Sequence, residues 1–297
     1  MFAVGMCVDE RYLAPALVAI GSLAGTIPQT DRRAVAIRVL ALDLSRTHAE
    51  TLAAYVRHAG FASFGLAWSR PPAASTMNER SYITSTTYLR FGFTPQFMQR
   101  PYLIYLDADV LVRGAISAPL DLLDGASVGM VTDEFNPTVG VGTALPGLVD
   151  RCPRWRGRPY FNAGALWLST GALTAMRKGV ERAQLRWRHH IHHNDQDALN
   201  LWLLESGRVR TVPGEFNRFE LGRFLERGDW VRRVVKRPLI SDDARLIHYV
   251  GPIKPWSASC PATEDVVIYR GHLAQTMRRV RRLGDLSIEP MPVGAER

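Results

Sequence analysis

The sequence predicts an α/β domain with a mainly parallel central sheet flanked by helices. Short apolar runs of strand length alternate with longer stretches of helical character, the pattern of parallel strands joined by helical crossovers. Several of the runs end on carboxylates, at Asp9, Asp107 and Asp133. The chain has 297 residues, 46% hydrophobic and 22% charged, enough for a substantial core.

The first run, FAVGMCV (2–8), reads as a strand closed by Asp9-Glu10. LAPALVAIGSLAG (13–25) follows as a helix, with Pro15 tolerated because it lies in the first turn. AIRVLALDL (36–44) is a second strand. SRTHAETLAAYVRHAG (45–60) is a helix with a capping box at Thr47 and Glu50 and a stop at Gly60. FASFGLAW (61–68) is a third strand, and STTYLRFGF (85–93) is read as helical. YLIYLDADVLVRG (102–114) is a strand interrupted by Asp107 and Asp109. ASVGMVT (126–132) is a strand ending at Asp133. PYFNAGALWLST (159–170) leads into a helical stretch over about 171–190. NDQDALNLWLLESG (194–207) is a helix starting at an Asn194 cap and stopping at Gly207. ARLIHYVGPIKPW (244–256) is a late strand running into a Gly/Pro loop, and the last 30 or so residues are basic and helical before a short polar tail.

Composition narrows the function classes. No apolar run approaches the roughly 20 residues that span a bilayer. The N-terminus MFAVGMCVDER has no basic segment before its apolar residues, so it does not read as a signal peptide. Three widely spaced cysteines form neither a disulfide framework nor a zinc pattern, and the expected setting is cytoplasmic. A net charge of +9 and a pI near 9.9 favour polyanionic partners: nucleic acid, anionic lipid or phosphorylated ligands.

The chemistry falls at strand ends, where open α/β sheets bind ligands. Asp9, Asp107, Asp109 and His248 all lie at or near such ends. An unpaired carboxylate inside an apolar strand is costly, so the pair at 107 and 109 calls for a pocket or a neutralising cation. Two carboxylates and an imidazole make a mixed oxygen and nitrogen donor set that suits Mn²⁺ or Mg²⁺ and leaves positions for ligand oxygens. A diphosphate is a natural bridging ligand. Read alone, a D-x-D pair is also what an exposed loop carries, and a single histidine is commonly a satisfied core residue.

YLDADVLV, YFNAGALWLS, NDQDALN and HYVGPIKPW occur in this order. Together they resemble glycosyltransferase family 8, the retaining nucleotide-sugar transferases that include bacterial lipooligosaccharide galactosyltransferases and, more distantly, glycogenin and galactinol synthase. The likeness runs from about residue 2 to 260. It implies the GT-A nucleotide-diphospho-sugar transferase fold over 1–262, with 263–297 as a basic extension. It also implies a UDP-sugar donor bound with Mn²⁺ through Asp107, Asp109 and His248. Ala108 lies with them against the donor. Gly251 and Lys254 match positions on the diphosphate, Asp9 and Tyr12 match the nucleoside segment, and Arg90 matches a basic residue that touches the donor. Asp133, Asn162, Asp195 and Gln196 match residues of the sugar subsite, Asp195 and Gln196 being the catalytic candidates. The match departs at Arg11, where related enzymes often carry Asn.

The resemblance implies transfer of galactose or glucose to an acceptor hydroxyl, of a saccharide, a glycolipid or a small molecule, with retention. Gln196 stands where a nucleophile would sit and is a poor one, so front-face substitution is expected. The Gly/Pro-rich 134–160 segment is the expected acceptor rim. HHIHH (189–193) is read as a loop rather than a second metal site. RWRGRP (154–159) lacks the accompanying motifs of a nucleic-acid reader, so no nucleic-acid partner is expected. TMRRVRRL near the C-terminus suits peripheral contact with an anionic membrane. The rival readings are a metal-dependent nucleotidyltransferase and a non-catalytic nucleotide-sugar-binding relative.

Overall fold

Strand β1 (Ala3–Val8) is buried at every position, as a central parallel strand must be when helices cover both faces. A computed structural model describes residues 1–71, 85–124, 127–227, 230–235 and 243–283. Helix α1 (Leu13–Thr26) carries the chain from β1 to β2 (Ala36–Ala41). Helix α2 (Arg46–His58) carries it on to β3 (Ser63–Trp68). A 3₁₀ run over Ser85–Gly92 and the one-turn α3 (Pro95–Met98) lead into β4 (Tyr102–Leu106) and β5 (Val110–Val112). β6 (Val128–Thr132), the one-turn α4 (Leu148–Arg151) and β7 (Phe161–Ser169) follow. Then come α5 (Thr170–Trp187), α6 (Asn194–Ser206), β8 (Val209–Thr211), β9 (Arg218–Phe219), the short α7 (Trp230–Val234), β10 (Leu246–His248) and α8 (Glu264–Leu283).

The main sheet has seven strands in the order β3-β2-β1-β4-β7-β6-β8. β7 runs antiparallel to both its neighbours, and the other adjacent pairs are parallel. Successive residues of a strand point to opposite faces, and the core divides accordingly. Val4, Met6 and Val8, with Ile104 and Leu106, pack against Leu13, Leu17, Ile20 and Leu23 of α1, Leu52 and Val56 of α2 and Val280 of α8. Ala3, Cys7, Leu103 and Tyr105 face the other way, toward Met176, Val180 and Trp187 of α5 and Leu199 and Trp202 of α6. Each fully buried leucine or isoleucine of α1 contributes about 1.5–3 kcal/mol by leaving water.

A second sheet is small, in the order β5-β10-β9. The late strand joins this sheet rather than the large one. Its antiparallel register with β5 sets His248 opposite Val110, and Tyr249 N–H donates to the Asp109 carbonyl at 3.0 Å. Two segments far apart in sequence are thereby fixed side by side. Ser22 of α1 steadies β5 by accepting from Val112 N–H at 3.1 Å.

Several boundaries differ from the sequence reading. The cap of α2 is Ser45, whose hydroxyl accepts from His48 N–H at 3.2 Å. A cap must hold extended backbone, and Ser45 does (ψ 156°), whereas Thr47 is already inside the helix and Glu50 pairs with Arg46 instead. Residues 85–92 form a 3₁₀ run, not an α-helix. At α6 the residue at the cap position is His193 rather than Asn194, and the side chain of Asp197 reaches back to the N–H groups of His192 and His193, at 2.6 and 2.7 Å, tying the preceding turn to the helix. Asn194 itself takes the left-handed conformation at φ 47°. The stops at Gly60 and Gly207 hold, both at positive φ just past a helix end. The strand read from residue 126 begins at Val128, and the polar tail from 284 lies outside the described residues. Among the described residues no helix is long and apolar enough to cross a membrane.

Candidate active site

Three parallel strands end on one edge and each delivers a carboxylate there: β1 to Asp9, β4 to Asp107 and β6 to Asp133. Because β7 is antiparallel, its beginning lies at the same edge, and Asn162 joins them. Between β4 and β5 the chain bends through Asp107, Ala108 and Asp109. That bend leaves both carboxylates facing His248. Its Nε2 lies 3.4 Å from Asp109 Oδ1 and 4.0 Å from Asp107 Oδ2. One ligand atom from each of the three lies within 4.8 Å of the others.

This cluster opens on a cavity of about 360 Å³. Tyr12, Arg90, Asp107, Ala108, Asp109, Asp133, Asn162, Asp195, Gln196, His248, Gly251 and Lys254 all line it. The structure therefore brings together every residue singled out from the sequence except Asp9. Asp9 stands behind the wall and caps the turn of residues 10–12, accepting from Arg11 N–H and Tyr12 N–H at 3.0 and 3.1 Å. Its other oxygen accepts from Thr86 Oγ1 at 2.9 Å. Its contact with the cavity is made through Tyr12 and Thr86.

Arg90 is buried and its guanidinium knits the acidic side together. It lies 3.0 Å from Asp107 Oδ1 and 3.0 Å from Asp195 Oδ2, and it donates to the carbonyls of Thr87 and Ala163. Tyr105 adds a hydrogen bond from its hydroxyl to Asp107 Oδ1 at 2.7 Å. Arg90 thus positions Asp107 as well as lining the cavity. Burial pushes the Asp195 carboxyl up, with Arg90 pulling the other way. Burial works to raise Asp109 too, yet Lys254 and His248 beside it hold its carboxyl well below the usual carboxylate range. Lys254 Nζ is 2.5 Å from Asp109 Oδ2 and also donates to the Tyr249 carbonyl at 2.9 Å. Asp109 is therefore ionised at neutral pH, the form a metal ligand needs.

Gln196 and Asp133 form the opposite wall. Gln196 Nε2 donates to Asp133 Oδ2 at 3.1 Å and to Tyr160 Oη at 3.2 Å. Gln196 Oε1 accepts from Asn162 Nδ2 at 2.9 Å and from Ala163 N–H at 3.0 Å. Asp133 Oδ1 accepts from the N–H groups of Phe135 and Asn136, so the 134–160 rim starts from a fixed anchor. The histidine run fastens that rim. His190 Nδ1 meets the Pro146 carbonyl at 2.8 Å, and His193 Nε2 meets Thr143 Oγ1 at 2.9 Å.

Two residues escaped the sequence reading. Gly164 lies beneath His248, where an added Cβ would stand 2.1 Å from the ring Cε1. Only a glycine leaves the imidazole room. It sits inside the motif YFNAGALWLS, and an unmatched glycine in a buried strand is a signal of close approach. Asn217, fully buried, bonds His248 Nδ1 through its Oδ1 at 3.1 Å. It lies in GEFNRFE, which carries no such signal.

A mostly parallel sheet with one reversed strand, with a carboxylate-histidine cluster in the cleft at its carboxyl edge, is an architecture of the GT-A type. The chain belongs to glycosyltransferase family 8: the model described as "Glycosyl transferase family 8" matches residues 3–260. It is 30% identical over 184 residues to lipopolysaccharide 1,3-galactosyltransferase of Salmonella typhimurium, covering 58% of this chain and 50% of that protein. It is 33% identical over 157 residues to lipopolysaccharide 1,2-glucosyltransferase of Escherichia coli, covering 52% and 44%. The matched regions span about half the length of these relatives. Among solved structures, the galactosyltransferase LgtC with donor and acceptor sugar analogues shares the fold, with a TM-score of 0.70 at 23% identity over 92% of this chain and 95% of that one. The glycosyltransferase GlyE of Streptococcus pneumoniae does so with a TM-score of 0.64 at 17% identity, over 94% and 63%.

Proposed function

We propose that the protein is a retaining hexosyltransferase that moves galactose or glucose from a UDP-sugar to an acceptor hydroxyl, with Mn²⁺ or Mg²⁺ as its metal. The observation that carries this is the cluster of Asp107, Asp109 and His248 opening on the same cavity as Asp133, Asn162 and Gln196. The donor set fits the ion: two carboxylates and one imidazole with ligand atoms within 4.8 Å of one another suit a hard divalent cation. Bound there, the ion would supply Lewis-acid stabilisation of the leaving diphosphate.

The chain's own groups supply the rest. Lys254 brings a point charge beside Asp109, where the diphosphate would lie. Gly251, at φ 81°, turns the backbone at the cavity wall in a conformation that favours glycine. Tyr12 offers an aromatic wall for the nucleoside, edge-on to Trp256 at 5.7 Å. Asp133, Asn162 and Gln196 present a wall of fixed polar groups to the sugar. Gln196 is an amide, Asp195 is paired with Arg90, and Asp133 is saturated with donated hydrogen bonds. This wall is poorly built for a double displacement through an enzyme carboxylate and favours front-face substitution. The names of the lipopolysaccharide transferases among the relatives support a saccharide acceptor on a lipid.

Incubation with a panel of UDP-, GDP-, CDP- and dTDP-sugars, with Mn²⁺ or with EDTA, checks the reading. UDP is expected from UDP-galactose or UDP-glucose with Mn²⁺ only. Release of another nucleotide, or equal release in EDTA, contradicts it.

A further inference from the structure

The polar side chains behind His248 form a single file that runs to the sugar-side wall: His248, Asn217, Asn162, Gln196. We propose that Asn217 is a positioning residue. It fixes the His248 imidazole with Nδ1–H bonded inward and Nε2 as the nitrogen turned toward Asp107 and Asp109, and the backbone N–H groups of Ala163 and Gly164 set the direction of the whole file. This rests on the reading of Asp107, Asp109 and His248 as a divalent-metal site.

The direction follows from which groups can only donate. A backbone N–H has no acceptor function. Gly164 N–H donates to Asn162 Oδ1 at 2.9 Å, and Ala163 N–H donates to Gln196 Oε1 at 3.0 Å. These two bonds decide which end of each amide is oxygen. Asn162 then turns its Nδ2 to Gln196 Oε1, at 2.9 Å. Its Oδ1 takes a second donor, Asn217 Nδ2, at 2.8 Å. Flipping Asn217 would set two amide oxygens against each other at that distance. The Asn217 oxygen therefore faces His248 Nδ1, 3.1 Å away. An amide oxygen only accepts, so Nδ1 carries the hydrogen.

In the neutral ring the lone pair then lies on Nε2, the nitrogen 3.4 Å from Asp109 Oδ1. Asn217 is wholly buried, so water does not replace its oxygen. Phe219 meets the imidazole edge-on at 5.7 Å, and Gly164 leaves it room on another side. The ring is held in orientation before a metal arrives, with Nδ1 committed to Asn217 and Nε2 the nitrogen that a metal would take. The partner is a neutral amide rather than the carboxylate that often backs a ligating histidine.

The test uses the full chain, metal-free, with ¹⁵N-labelled histidine. His248 is assigned among the eight histidines by its loss in His248→Gln. At a pH where the ring is neutral, the long-range ¹H–¹⁵N spectrum of the wild type is expected to show the proton on Nδ1. A proton on Nε2 overturns the proposal. In Asn217→Leu the ring is expected to lose that single tautomer, and Mn²⁺ titration to show binding weaker by about 10–100-fold, the usual cost of losing an outer-shell partner. Asn217→Asp, which keeps an acceptor oxygen for Nδ1–H but loses the donor to Asn162 Oδ1, is expected to keep the tautomer and to bind Mn²⁺ more tightly than Asn217→Leu. An unchanged tautomer and unchanged Mn²⁺ affinity in a folded Asn217→Leu overturn the proposal. If Asn217→Leu does not fold, loss of the Nδ1–H form in Asn217→Asp overturns it. A wild type that binds no Mn²⁺ refutes the metal-site reading instead, and the wild-type tautomer then decides the proposal by itself.

Discussion

Asp109→Asn is expected to lower Mn²⁺-dependent donor turnover by about three orders of magnitude while leaving the chain folded. The substitution keeps the shape and removes the charge. Asp109 is the carboxylate of the cluster nearer His248, with Nε2 at 3.4 Å, and it also pairs with Lys254 Nζ at 2.5 Å. Removing it takes away a ligand oxygen and leaves Lys254 without its carboxylate partner in the cavity wall. A transition state that places charge on a leaving diphosphate loses most where cation binding and fixed charge fail together. The same change weakens Mn²⁺ binding itself, which separates this account from a purely structural role. The check is a steady-state assay across a Mn²⁺ titration, with circular dichroism to confirm folding. Near-normal turnover at saturating Mn²⁺ would place the metal elsewhere.

The second large effect is at Gln196. Gln196→Ala is expected to cut kcat by about 10²–10³, the range seen when one preorganised polar group at a reacting centre is removed. The anomeric configuration of the product is expected to stay the same. The amide has four partners: Asp133, Tyr160, Asn162 and Ala163. Truncation leaves Ala163 N–H without an acceptor and removes a donor from the buried Asp133. If Gln196 were the nucleophile of a double displacement, the variant would lose retention or all turnover. If it orders the sugar for front-face attack, a slow retaining reaction survives. Product configuration by ¹H NMR, read alongside kcat, distinguishes the two.

Much of this site was legible in the sequence because parallel strands put their ends on one edge. Asp107 and Asp133 follow apolar runs directly, and both end up lining the cavity. Asp9 follows one too, but its carboxylate is taken up by the turn it caps. Asn162 was harder. It reaches the edge only because β7 runs backwards, and nothing in an apolar run states its direction. Lys254 was placed by resemblance alone, and His248 was read as a strand-end residue without sight of the strands it pairs with. The sheet that carries His248 is built from strands of two and three residues, too short for periodicity to show. Asn217 acts through what it holds in place, which no local pattern reports, and Gly164 carried only the general signal of a glycine in a buried strand. The cap of α2 was misplaced for a plainer reason: Ser45 and Thr47 are both good caps, and only backbone conformation chooses between them.

The most direct measurement is a calorimetric titration of UDP into the wild-type chain, once with Mn²⁺ and once with EDTA. Binding is expected with Mn²⁺ and is expected to be lost or strongly weakened in EDTA, as the proposal that Asp107, Asp109 and His248 hold the nucleotide's phosphates through the ion requires. Equal UDP affinity in both conditions, or no UDP binding in either, would contradict it.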